Sequence, residues 1–255
     1  MTTTSFNTAG DAWWVATKPR PEATHRLFCF PYAGGSALAF RSWHERLPTG
    51  IEVCGIQLPG RGPRLRRALH TNVHELVEEL GPALVPALDR PFVFFGHSLG
   101  SVVGFELARW LRRHGHPGPV HLVMSGRRAP QIADTDPPTY DQSHEEFVDS
   151  LRRLNGTPEE IFASPELLQF MIPILRADFQ MGETYAYVPD APLSCSLTVF
   201  GGEDDEETSN GRLEAWSVQT TDRFAVHRCA GGHFFLRSNQ ERFLALLGLE
   251  LARLL

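Results

Sequence analysis

FVFFGHSLGSVVGFELARWL, residues 92–111, decides how this chain is read. Four apolar residues lead into Gly96-His97-Ser98-Leu99-Gly100, and a second apolar, helix-compatible segment follows. A buried strand that turns at once into a helix leaves no room for side chains at the crossing, so glycine on both sides of a serine has a steric reason. Gly-x-Ser-x-Gly is short, but between a strand and a helix it is the pattern of a nucleophile elbow. Ser98 Oγ would then stand exposed above the sheet. The Leu99 amide at the helix N-terminus would face the same space and meet developing negative charge. His97 is too close in sequence to serve as the base, and its side chain is expected to pack inward as a structural residue.

The elbow sits in an alternating pattern. Short apolar segments read as strands at Arg26 to Pro31, Glu52 to Leu58, Phe92 to Phe95, Val120 to Met124, Cys195 to Phe200 and Phe224 to Cys229. Helical patterns lie at Ala39 to Leu47, Asn72 to Leu88, Ser101 to Arg112 and Arg242 to Leu255. Strands separated by helices imply a mostly parallel sheet with helices on both faces and functional loops at the strands' carboxyl ends. Residues 1–25 read as a polar surface arm. Between Ser125 and Cys195 the alternation stops. Helical candidates there are His144–Leu154, Glu159–Phe162 and Glu166 to about Tyr185, with Pro173 inside the last. A long insertion on the catalytic side of a sheet is expected to act as a lid.

A serine hydroxyl needs a base. In elbow enzymes the chain order is serine, then Asp or Glu, then histidine. Two late segments fit that order. Val199-Phe200-Gly201-Gly202-Glu203-Asp204-Asp205 is a strand entering an acidic loop, and Ala230-Gly231-Gly232-His233-Phe234-Phe235 is a glycine turn carrying one histidine. His233 is the expected base. The acid is Asp205 or Asp204, because one partly buried carboxylate should orient the imidazole. A second oxyanion donor should come from the loop after the first core strand, Phe30-Pro31-Tyr32-Ala33-Gly34-Gly35, with Ala33 as the expected N–H and Tyr32 next. That loop is a poor phosphate cradle, since the chain has neither GxxxxGK[ST] nor GxGxxG.

Composition narrows the classes. The chain has 255 residues, 42% of them hydrophobic, enough for a full core without disulfides. A net charge of -6 argues against nucleic acid as the main partner. The four cysteines, Cys29, Cys54, Cys195 and Cys229, show no CxxC spacing and fall in strand segments, so buried reduced thiols are expected. The N-terminus lacks a secretory pattern and there is no apolar run of membrane-spanning length, so a cytoplasmic protein without membrane contact is expected. Arg61, Arg64, Arg66 and Arg67, and then Arg127 and Arg128, follow strand ends on the catalytic side. They read as a solvated arginine face or as a contact for an acidic or phosphorylated partner.

Taken together and in order, FPYAGGSA at 30–37, LPGRGPR at 58–64, GHSLGS at 96–101, SGRRAP at 125–130, LRADFQMGETY at 175–185, GGEDD at 201–205 and GGHFFL at 231–236 resemble the type II thioesterases. These are stand-alone enzymes of polyketide and nonribosomal peptide synthesis in the α/β-hydrolase superfamily. The resemblance covers about residues 25–250. It implies a single α/β-hydrolase domain over 1–255, with a helical lid inserted at about 135–190. It implies Ser98 as nucleophile, His233 as base and Asp205 as acid, three positions after Gly202; Glu206 stands where the family often has proline. It also implies hydrolysis of acyl groups from the phosphopantetheine arm of acyl or peptidyl carrier domains, removing aberrant or stalled groups. No metal or separate cofactor is expected, because phosphopantetheine enters with the substrate. Apolar residues of the insertion, Phe170, Met171, Ile174, Leu175, Phe179 and Met181, are candidates for an acyl pocket. The competing readings are a serine esterase, or small-molecule thioesterase, without a carrier partner, and a non-catalytic hydrolase-fold protein.

Overall fold

A computed structural model describes residues 11–255 except residue 210. Seven strands form one sheet in the order β1-β3-β2-β4-β5-β6-β7. They are β1 Trp14–Ala16, β2 His25–Phe30, β3 Ile51–Ile56, β4 Phe92–His97, β5 His121–Ser125, β6 Ser196–Gly202 and β7 Phe224–Cys229. Only β1 runs antiparallel, against β3; all other neighbours are parallel. The expected surface arm is therefore partly wrong. Residues 14–16 form an edge strand and Trp13 is buried, because its ring lies under the Arg64 guanidinium. Residues 1–10 of that expectation lie outside the described residues.

Period-2 alternation sends each strand's side chains into two cores. Phe28, Phe30, Ile56, Phe92 and Phe94 face one side, where α1 Val73–Leu84 and α2 Leu99–Arg113 pack. Leu27, Cys29, Val53, Val93 and Phe95 face the other, against Trp43 and the closing helix α7 Gln240–Ala252. The sheet is covered on both faces, as the alternation implied. Two helix expectations need correction, and that for Asn72 to Leu88 was too long, since α1 ends at Leu84 and Val85–Ala87 is a 3-10 turn. Ala39 to Leu47 is instead two short 3-10 turns, Ala37–Phe40 and Trp43–Glu45. Asn72 does not open α1 but caps it, accepting the N–H groups of His74 and Glu75.

The insertion between β5 and β6 holds α3 His144–Leu154, α4 Glu159–Ala163 and α5 Pro165–Glu183. A capping box between Ser143 and Glu146 starts α3, and Asn155 ends it in the left-handed conformation. Phe147, Leu151, Ile172 and Leu175 make a small core of their own, apart from the two sheet cores. After β7 come the short helix α6 Phe235–Ser238 and then α7. Cys29, Cys54 and Cys229 lie in strands as expected; Cys195 is half-buried just ahead of β6, and all four are free. Among the described residues no helix is long and apolar enough to cross a membrane.

Candidate active site

The elbow is made of backbone. Ser98 has φ 55 and ψ -117, a left-handed geometry that a non-glycine residue adopts only under strong constraint. Its N–H donates to Ser125 O at 2.8 Å. Ser101 Oγ lies 2.9 Å from the carbonyls of both Gly96 and Ser125 and accepts the Ser125 N–H at 3.0 Å. A Cβ on Gly96 would collide with the carbonyl of Gly100, and one on Gly100 with the carbonyl of Phe30. The two glycines therefore let β4, α2 and the end of β2 meet backbone to backbone. His97 packs inward as expected. It is fully buried, its Nδ1 is 2.9 Å from Ser125 Oγ, and burial holds its pKa well below the ordinary histidine value. It is neutral and adds no charge beside His233, whose ring centre is 5.2 Å away.

The acidic loop and the histidine turn are zipped together where β6 and β7 end. Glu203 N–H donates to Cys229 O at 2.9 Å and Asp204 N–H to Gly231 O at 3.1 Å. This brings Asp205 and His233 into contact, with Nδ1 of His233 3.0 Å from Oδ2 of Asp205. The other carboxylate oxygen of Asp205 accepts the Glu207 N–H at 3.1 Å. Asp205 is buried whereas Asp204 is exposed, so geometry separates two neighbours that the residues alone left open. With Nδ1–H donating to Asp205, His233 keeps Nε2 as its acceptor.

Ser98, Leu99, Ala33, Asp205 and His233 all line one cavity of about 330 Å³. Leu99 is the first residue of α2, so its N–H has no partner within the helix. In the loop after β2, Gly35 N–H donates to Tyr32 O at 2.8 Å and Gly34 N–H to Asp178 Oδ2 at 2.7 Å. Among the described residues the Ala33 N–H has no hydrogen-bond partner. Leu151, Leu154, Leu175 and Phe179 of the insertion line the same space. Of the six apolar candidates in the sequence, only Leu175 and Phe179 reach it. Ile174 and Met181 are buried in packing, Met171 packs within the insertion, and Phe170 is exposed. Leu151 and Leu154 of α3 were missed because five of that helix's eleven residues are charged, which masks its narrow apolar stripe.

The arginine clusters divide between buried structural pairs and solvated charge. Arg61, Arg64 and Arg128 are buried. Arg64 pairs with Asp11 and Glu79. Arg61 pairs with Asp178 of α5, itself 3% exposed. Arg128 forks onto Glu207, with Nε 2.9 Å from Oε2 and Nη2 2.5 Å from it, and Arg127 donates to Gly182 O at 3.0 Å. Only Arg66 and Arg67 are exposed, and Arg67 pairs with Asp11. Each buried guanidinium answers a carboxylate that would otherwise be uncompensated. Sequence held one clue: Asp178 interrupts the apolar face formed by Ile174, Leu175 and Met181, and a charge on a buried face needs a partner.

A mostly parallel seven-stranded sheet, a strained serine at a strand-to-helix turn, and a histidine on a buried carboxylate define an α/β-hydrolase. The thioesterase-domain family matches residues 25–249, and the chain belongs to that family. It is 44% identical to a protein of Brevibacillus parabrevis named linear gramicidin dehydrogenase LgrE, over 92% of this chain and 90% of that one. Among solved structures it resembles the RedJ thioesterase from the prodiginine biosynthetic pathway in Streptomyces coelicolor. That match has a TM-score of 0.85 and 37% identity, covering 91% of this chain and 87% of that one. It also resembles the type II thioesterase BorB from the borrelidin biosynthetic cluster, with a TM-score of 0.83 and 31% identity over 94% and 96%.

Proposed function

We propose that this chain is a serine thioesterase that hydrolyses acyl groups from the phosphopantetheine arm of acyl or peptidyl carrier domains, removing aberrant or stalled groups during polyketide or nonribosomal peptide synthesis. The observation that carries the chemistry is the shared cavity of Ser98 and the His233–Asp205 pair in a thioesterase-family chain. The carrier partner is supported by end-to-end similarity to a type II thioesterase of a biosynthetic cluster.

In the proposed mechanism Ser98 Oγ attacks the thioester carbonyl carbon while His233 Nε2 takes its proton. Asp205 holds the imidazole in the required tautomer and stabilises its cation. The Leu99 and Ala33 N–H groups receive the oxyanion, in a site where donors fixed in advance cost no reorganisation. Collapse breaks the C–S bond. The thiolate leaves with little need of a proton at the moment of cleavage, because a thiol is a far stronger acid than an alcohol; the proton held on His233 Nε2 then passes to the departed sulfur, which leaves the imidazole neutral again. Water then adds to the acyl-Ser98 ester, giving its proton to His233, and the carboxylic acid departs as Ser98 recovers a proton. Side chains and backbone suffice, with phosphopantetheine entering as part of the substrate. Residues 135–190 act as the lid of a single domain, with Leu151, Leu154, Leu175 and Phe179 contacting the acyl chain.

The test presents one acyl group three ways: on a phosphopantetheinylated carrier domain, on a short pantetheine thioester, and as an oxygen ester. Ser98-dependent release fastest from the carrier is expected. Equal rates on all three would return the chain to general serine esterases.

A further inference from the structure

The turn that carries the Ala33 N–H is not self-supporting. Gly34, at φ +74, belongs to a four-residue turn closed by the Gly35 N–H on Tyr32 O. Two of its other polar groups are gripped from outside. Asp178 Oδ2, on α5 and 144 residues away in sequence, accepts the Gly34 N–H at 2.7 Å. Arg61, from the loop after β3, donates Nε to Gly35 O at 2.8 Å and Nη1 to Pro59 O at 2.6 Å. Its Nη2 donates to the same Asp178 oxygen that holds Gly34. One buried ion pair therefore grips the turn by its amide and its carbonyl together, and ties it to two other parts of the chain. Contact is close, since a Cβ on Gly34 would strike the Leu175 side chain of α5.

A buried ion pair is a poor device for stability, because desolvation consumes most of its attraction and apolar replacements are often neutral or better. What an apolar pair lacks is an acceptor for Gly34 N–H and a donor for Gly35 O. We propose that Arg61 and Asp178 are positioning residues: by fixing the 32–35 turn they hold the Ala33 N–H where the oxyanion forms. This rests on the thioesterase reading above, in which Ala33 is an oxyanion donor. The pair touches no reacting atom. Because Asp178 belongs to the inserted helix α5, the donor is in register only while α5 is seated on the turn.

The test is the double variant Arg61→Met with Asp178→Leu, which removes the grip without leaving a lone buried charge. Its melting temperature should stay near that of the wild type. Hydrolysis should show kcat lower by about 10- to 100-fold with KM changed by at most about 3-fold, less than the 10²- to 10³-fold cost of deleting an oxyanion donor outright. An alkyl boronic acid, which forms a tetrahedral adduct on the serine, should lose affinity in step with kcat/KM, while the carboxylic acid product binds as before. Asp178→Asn retains an acceptor for Gly34 N–H and should lie nearer the wild type than the double variant. If the double variant does not fold, Arg61→Lys carries the test with the same split expected, because lysine lacks the fork that joins Gly35 O to Asp178. An unchanged kcat in the folded double variant refutes the proposal, as does equal weakening of boronate and product. Ser98→Ala run alongside separates the two levels. If hydrolysis survives it, the nucleophile assignment and the positioning role both fall; Ser98-dependent hydrolysis with unchanged kcat refutes the positioning role alone.

Discussion

The two turns that meet at the cavity are built in different ways. The serine turn is held by close backbone contact and one small hydroxyl: Ser98 N–H on Ser125 O, Ser101 Oγ between two carbonyls, and glycines where β4, α2 and β2 touch. The acid–histidine turn starts from backbone ladders but is finished by side chains, with Asp205 on His233 and Arg128 on Glu207 two residues further along. A backbone-built turn tolerates no added atom, whereas one finished by side chains tolerates substitutions that keep the polar bonds. Strain such as that at Ser98 persists only in the first kind of setting.

The sharpest way to break this contrast is Gly100→Ala. Its methyl must enter the space of the Phe30 and Pro31 carbonyls, which belong to backbone and cannot rotate away. A loss of about 4 kcal/mol in stability is expected, at the upper end for a single substitution. Denaturant unfolding measures it, and a loss under 1 kcal/mol would show that the elbow can yield. On the other turn, Asp205→Asn should fold normally and lower kcat by about 10³-fold, by presenting the wrong hydrogen-bond partner to Nδ1. Asp204→Asn should change it by less than about 2-fold, since that side chain is exposed. Equal effects would overturn the assignment.

Acid should act through two buried histidines. His97 lies at the elbow, at the carboxyl end of β4, and His121 at the opposite end of the sheet, where β5 begins; burial holds His97 far down and lowers His121 to about 4. Above about pH 6.5 neither the folded nor the unfolded histidine carries a proton, and their contribution is complete. As pH falls from there toward 4, the unfolded chain takes up protons that the folded one refuses, so stability falls. His121 alone accounts for about 3 kcal/mol of this. Melting curves across that range should fall steeply, and His121→Gln, which can still bond Thr198, should flatten them. A smaller effect than that of Asp205→Asn belongs to Arg128→Lys. Lysine loses the fork on Glu207, and a 3- to 10-fold fall in kcat with little change in folding is expected. A change in KM alone would show that Arg128 serves binding and not the acid turn.

Much of this was legible because it was local. The elbow announces itself in seven residues: only a strand entering a helix explains glycines at both 96 and 100 around Ser98. The sheet followed from short apolar runs, and the range His144–Leu154 expected for a helix is the range of α3. Long-range pairings were not legible. Arg61 and Arg128 look like surface charges in sequence, because their partners Asp178 and Glu207 lie 117 and 79 residues away. The edge strand at residues 14–16 was hidden for the same reason. Its three residues have no pattern of their own and exist as a strand only through pairing with β3. The choice of Asp205 over Asp204 also needed the β6–β7 register, which sets which carboxylate turns inward.

The account depends most on Ser98 as the nucleophile. The direct measurement is active-site labelling with an alkyl fluorophosphonate, followed by intact-protein mass and peptide mapping. One adduct per chain is expected, on the peptide containing Ser98, abolished by Ser98→Ala and formed much more slowly by His233→Ala. An adduct on another residue, or labelling that persists in Ser98→Ala, would contradict it.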